Sequence, residues 1–109
     1  MSRPYIQVHT TVSTSKDAKK IAEAVLSSRL AACVQIVPCL SRYHWQGTIE
    51  ETQEHLCLMK TRSELFDRLK NRLCEVHPYE VPEIIATEIT DGHEPYFQWL
   101  NQEVNRQDD

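Results

Sequence analysis

The sequence is poor in the residues that mark several function classes. It has two glycines in 109 residues, too few for a glycine-rich phosphate loop. No pair among its cysteines, at 33, 39, 57 and 74, stands at C-x-x-C spacing, which excludes zinc-ribbon and thioredoxin readings. Histidines at 9, 44, 55, 77 and 93 form neither H-x-H nor H-E-x-x-H, so nothing points to a zinc enzyme. Aromatics are 7% of the chain, bunched at Tyr43-His44-Trp45 and Tyr96-Phe97…Trp99. No apolar run nears the roughly 20 residues that span a bilayer, and the stretch from Met1 lacks the apolar core of a signal peptide. Net charge is -4, with both signs mixed and no block of like charge beyond Asp108-Asp109; a nucleic-acid binder carries a basic face instead. The expectation is a cytoplasmic protein with no membrane or nucleic-acid partner. Its cysteines are then thiols serving as small buried hydrophobes.

At this length residues 1–109 make one domain. Apolar residues make up 40% of them, enough for a modest core. A chain this short buries only about two-thirds of its unfolded surface, so assembly is an expected source of stability. Tyr5–Val12 alternates with period two, placing Ile6, Val8, Thr10 and Val12 on one face of a strand. Ser13-Thr14-Ser15 suits a loop and a helix N-cap. Ala18, Ile21, Ala22, Val25, Leu26 and Leu30 form a helical stripe, predicting a helix over Lys16–Ala31. Cys33–Val37 reads as a strand closed by Pro38, and a further strand runs inward from Thr48 to Met59. Thr61-Arg62-Ser63-Glu64 matches a capping box before a helix that must stop by His77, because Pro78 follows. Pro82 opens a strand over Glu83–Thr90, with Ile84, Ile85 and Ala86 supplying core, and Pro95 starts a C-terminal helix with an aromatic face. The order β-α-β-β-α-β plus a helix is an α+β, ferredoxin-like sandwich. Its two main helices cover one face of the sheet, and the other face is left for a second subunit.

Three segments carry candidate chemistry. In His77-Pro78-Tyr79-Glu80-Val81-Pro82-Glu83, two prolines stiffen a loop bearing an imidazole, a phenol and two carboxylates. This is either a ligand or metal site or a rigid helix-to-strand connection. Tyr43-His44-Trp45-Gln46-Gly47 is a second candidate, since Tyr and Trp favour pockets and interfaces. Lys60-Thr61-Arg62, at a strand-to-helix junction, offers cations and free helix N–H groups to an anion. Cys33 has no histidine assignable to it, so nucleophilic catalysis has nothing to rest on, and no enzyme activity is expected.

Together these motifs resemble the CutA family of divalent-cation tolerance proteins. Thr10-Thr11-Val12, Arg29-Leu30-Ala31-Ala32-Cys33-Val34, Tyr43-His44-Trp45-Gln46-Gly47, Lys60-Thr61-Arg62, His77-Pro78-Tyr79-Glu80-Val81-Pro82-Glu83 and Trp99-Leu100 occur in the family's order over nearly the whole chain. The resemblance implies a ferredoxin-like protomer in a homotrimer, similar in architecture to PII signalling trimers, with clefts between subunits. It implies a role in tolerance of copper and other divalent metals. The metal, Cu(II) or another divalent cation held weakly, would sit at His77, Glu80 and Glu83. Cys33, Trp45, Lys60 and Tyr79 would line the cleft, with no organic cofactor. The copper ligands of a bacterial form map onto Thr10, Val76 and His77, so only the histidine at 77 matches, and the thiolate that favours Cu(I) is a hydroxyl here. The alternative function is a PII-like signalling adaptor that binds an anionic metabolite. An acylphosphatase-like enzyme would need an anion-cradling loop with arginine, and Ser13-Thr14-Ser15-Lys16 is a poor substitute.

Overall fold

Alternating burial along the first strand sets the architecture. The computed structural model describes residues 4–105; the sequence readings at Met1–Arg3 and Asp108–Asp109 lie outside it. In β1 (Tyr5–Val12) every second residue is buried, as period two demands. Ile6, Val8, Thr10 and Val12 all point into the core. The chain continues as α1 (Ser15–Ser27), β2 (Cys33–Trp45), β3 (Thr48–Arg62), α2 (Phe66–Val76), β4 (Ile85–Glu88) and α3 (Glu94–Glu103), with a 3-10 turn at Ser63–Leu65 before α2. Sheet order is β2-β3-β1-β4 and every pairing is antiparallel. This is the ferredoxin-like α+β arrangement expected from the sequence.

The main core lies between the sheet and helices α1 and α2. Ile21 and Val25 of α1 and Leu69 and Leu73 of α2 pack on Val8, Val12, Cys57 and Met59. Thr14 caps α1 by accepting the Asp17 N–H at 3.0 Å. The helix ends at Ser27, earlier than its apolar stripe suggests. Arg29 adopts φ +60° there. Its N–H bonds the Leu26 carbonyl and that of Leu30 bonds the Val25 carbonyl, the two bonds of a Schellman closure. Arg29 stands where glycine is usual. The C-terminal segment holds it: its guanidinium donates to Glu103, and the Asn105 N–H bonds its carbonyl. Leu30 is buried beyond the helix rather than on it.

Four other expectations are corrected. Pro38 does not close β2, which runs on to Trp45 with Pro38 opposite His55. β2 is an edge strand, where a missing N–H can face solvent. The capping box at Thr61 does not form, because Thr61 is a buried strand residue opposite Ile6 and donates to the Leu30 carbonyl at 2.7 Å; Glu64 takes the Arg62 Nε instead. β4 is confined to Ile85–Glu88, and of Ile84, Ile85 and Ala86 only Ile84 packs on the core. Only Cys57 among the cysteines is fully buried, and burial pushes its thiol up to about 11; Cys74 is exposed.

The face opposite α1 and α2 is covered at one end by the chain itself. Tyr5 stacks on Phe97 of α3 at 4.5 Å, and Arg62 donates to Asn101. Leu65, Leu100 and Val104 make a second small core there with Tyr5 and Ala32. A methyl group at Gly92 would lie 2.6 Å from the Phe97 ring, and that ring is fixed by its stack. Gly92→Ala is therefore expected to cost about 1–3 kcal/mol by overpacking, measurable as a lower denaturant midpoint.

Beyond β1, strands β2 and β3 continue together as a two-stranded arm, which accounts for the 44 Å length of a molecule only 26 by 22 Å across. The arm turns at Gln46 (φ +49°) and Gly47 (φ +82°), the left-handed pair of a tight hairpin. It exposes Leu40, Tyr43, Trp45 and Ile49.

Candidate functional site

Where the arm leaves the body, five polar side chains from four segments meet. α2 stops at Val76, and His77 leaves it with an extended backbone, φ -74° and ψ 134°, as Pro78 requires. His77 is 9% exposed. Its Nδ1 accepts the Tyr79 backbone N–H at 3.1 Å. The ring proton then belongs on Nε2, which donates to Thr10 Oγ1 at 2.9 Å. Both ring nitrogens are in use, and the imidazole ties β1 to the loop after α2. Burial lowers the His77 pKa from its usual 6.5; the Thr11 backbone, Asp17 and Glu54 oppose that.

That tether aims the Tyr79 phenol. Tyr79 donates to Glu54 Oε2 at 2.6 Å and receives the Ser13 hydroxyl at 2.8 Å. Its pKa is raised, first by burial and then by the Glu54 carboxylate that accepts its proton. Glu54, in β3 just past the last residue paired with β1, is only 9% exposed. Thr10, Ser13 and Glu54 were not singled out as site residues by the sequence on its own. Thr10 carried a signal, since alternation put a hydroxyl on the inward face of β1. Ser13 and Glu54 carried none, because both sit in polar stretches.

The other sequence candidates are dispersed. Glu80 is exposed, and Glu83 lies 3.4 Å from His9 Nε2. Cys33 and Lys60 are opposite each other in the β2–β3 register. The Lys60 amine donates to Gln35 at 2.7 Å, and the Tyr96 pKa is raised, first by burial and then by the neighbouring Cys33 thiol. Lys60–Arg62 do end β3 at the 3-10 turn, as expected, but Arg62 is held by Glu64 and the Ser63 N–H by the Pro4 carbonyl, so the junction is not left open to an anion. Trp45 sits at the tip of the arm, twelve strand residues from Cys33 or roughly 40 Å away. Tyr79 touches β3 at Glu54, about 20 Å from either group by the same rise. One protomer therefore pairs Cys33 with Lys60 but brings neither Trp45 nor Tyr79 to them. Among the described residues, no three His, Cys, Asp or Glu side chains converge as a metal group. No helix among them is long and apolar enough to cross a membrane.

Comparison with known proteins adds to this geometry. The family model described as CutA1 divalent ion tolerance protein matches residues 6–103. The chain is 48% identical over 93 residues to the Divalent-cation tolerance protein CutA of Thermus thermophilus, covering 84% of this chain and 90% of that protein. It is 41% identical over 98 residues to Protein CutA, chloroplastic, of Arabidopsis thaliana, covering 89% of this chain and 54% of that protein. The chain thus spans about half the length of some relatives. The crystal structure of CutA1 from Oryza sativa superposes with a TM-score of 0.93 at 37% identity, covering 97% of this chain and 98% of that one.

Proposed function

Since the chain belongs to the CutA1 divalent ion tolerance family, we propose that it acts in divalent-cation tolerance as a non-catalytic homotrimer that binds its ligand where subunits meet. The dispersal of the candidate residues carries this reading. Cys33 with Lys60, Trp45, and the 77–83 loop occupy three separate regions of one protomer. Only a second copy can bring such regions to one cleft. The exposed apolar arm and the uncovered stretch of sheet, with Val37 and Ile85 exposed, supply surface for that contact.

The donors of one protomer do not by themselves fit a bound divalent cation. His77 has both nitrogens engaged, and Glu83 lies on His9. A cation such as Cu(II) would therefore be held weakly, by Glu80 and Glu83 from loops of different copies. Calorimetric titration with Cu(II) of the wild type and of the double variant Glu80→Gln, Glu83→Gln tests this. The expected result is weak binding in the wild type and none in the variant. Identical isotherms would remove these carboxylates from the site. A wild type silent to Cu(II) but stabilised by anionic metabolites would favour the signalling adaptor.

A further inference from the structure

The root of the arm carries a charge that the protomer does not balance. Glu54 is nine-tenths buried, yet its hydrogen-bond donor is a neutral phenol. Every ion pair among the described residues involves another carboxylate. A buried carboxylate without a counter-charge is costly, and proteins pair such groups. Glu54 also lines a hollow of about 340 Å³ with Pro38, Cys39, Leu40, Gln53 and His55. His55 contributes a buried Nδ1 with no hydrogen-bond partner. Two successive residues of β3, on opposite faces of the arm, thus have polar capacity that the chain leaves unused.

We infer that this hollow is a cation site in the contact between copies, where a second copy of the chain seats a lysine ammonium or arginine guanidinium against the Glu54 carboxylate. The inference rests on the homotrimer reading above. The carboxylate excludes an anionic occupant. The lack of three converging metal donors argues against a metal ion, whereas a cation rich in N–H donors matches a carboxylate oxygen well. The chain also carries the complementary groups. Lys16, Lys19 and Lys20 at the start of α1 and Arg68 of α2 are exposed and lack ion-pair partners among the described residues. Cys39 stands directly opposite Glu54 in the register and shares the hollow, and Leu40, on the other face of the arm, is 59% exposed, so a second copy wrapping the arm would bury apolar surface as well as charge. A two-stranded ribbon is marginal on its own, which again calls for such a cover.

The test uses the full chain and the variants Glu54→Gln and Tyr79→Phe, with light scattering over a dilution series. Glu54→Gln keeps the shape and still accepts the phenol proton, but removes the charge. It is expected to weaken association about tenfold or more, the effect of losing one charge-assisted hydrogen bond. Tyr79→Phe keeps the charge and is expected to stay associated. A Glu54→Gln protein that associates like the wild type overturns the cation site and leaves the homotrimer standing. Loss of association as complete in Tyr79→Phe as in Glu54→Gln also overturns the site, because Glu54 would then act only through the phenol. If the wild type is monomeric, thermal shift with free arginine decides. Stabilisation of the wild type but not of Glu54→Gln keeps the cation site, with a small molecule as source, and discards the homotrimer; no stabilisation discards both.

Discussion

Leu69→Ala is expected to lower the unfolding free energy by about 3 kcal/mol, a cavity effect at a fully buried leucine. A domain of this size has only about 5–15 kcal/mol of stability to lose. The expected observation is a lower urea midpoint with little change in slope, compared at one protein concentration so that assembly does not enter. The effect should reach the candidate site. Leu69 and Leu73 dock α2 on Ile21, Val25, Val8 and Met59. The end of α2 delivers His77 to Thr10, and His77 in turn orients Tyr79. A loosened α2 frays that sequence of contacts from its start, so amide exchange in residues 77–79 should speed up along with that of the helix. An unchanged midpoint would mean that the sheet and α1 hold the core without α2.

Much of the fold was legible because periodicity and punctuation agree with it. Strict alternation in β1, the apolar stripe of α2, Pro78 after its end and Pro95 at the start of α3 each specify an element locally. The misreadings share a physical cause, since each local rule was overridden by a non-local partner. Pro38 is harmless because β2 lies at the sheet edge. Thr61 would cap a helix in isolation, but the carbonyl it serves belongs to Leu30. The α1 stripe continues to Leu30 in the sequence, yet Arg29 turns the chain left-handed under the grip of Glu103 and Asn105. The Leu30 carbonyl lies 31 residues from Thr61 and Glu103 lies 74 from Arg29, beyond the reach of any local pattern.

The site was legible to a lesser degree, for the same reason. A stiff loop with a histidine, a tyrosine and two carboxylates stood out as unusual, and the structure does place it beside the base of the arm. What the pattern could not supply was direction. His77 and Tyr79 turn inward, while Glu80 and Val81 face solvent. The inward pair meets Thr10, Ser13 and Glu54 across more than twenty residues of chain. The family resemblance, by contrast, was carried by residues spread over the chain in a fixed order, which needs no knowledge of contacts.

His77→Phe is the second large expected effect. The ring shape is kept, but the Thr10 hydroxyl and the Tyr79 N–H both lose their partner at a buried position. Each unsatisfied group costs about 1–3 kcal/mol, so a loss of about 3 kcal/mol is expected in chemical denaturation near neutral pH. The pH dependence distinguishes this role from simple packing. The folded pKa of His77 lies below the 6.5 of the unfolded chain, because burial disfavours the cation. Between the two values the unfolded state binds the extra proton, so stability falls as pH drops through that window and is fully present above it. The geometry points the same way, since a protonated Nδ1 would set N–H against the Tyr79 N–H that it now accepts. Wild type and variant should therefore differ most above 6.5, and the gap between them should narrow as pH falls below it. The other histidines are common to both proteins and cancel in the difference. A gap that stays constant over this range would mean that His77 is held by shape alone, and that the loop does not depend on its neutral tautomer.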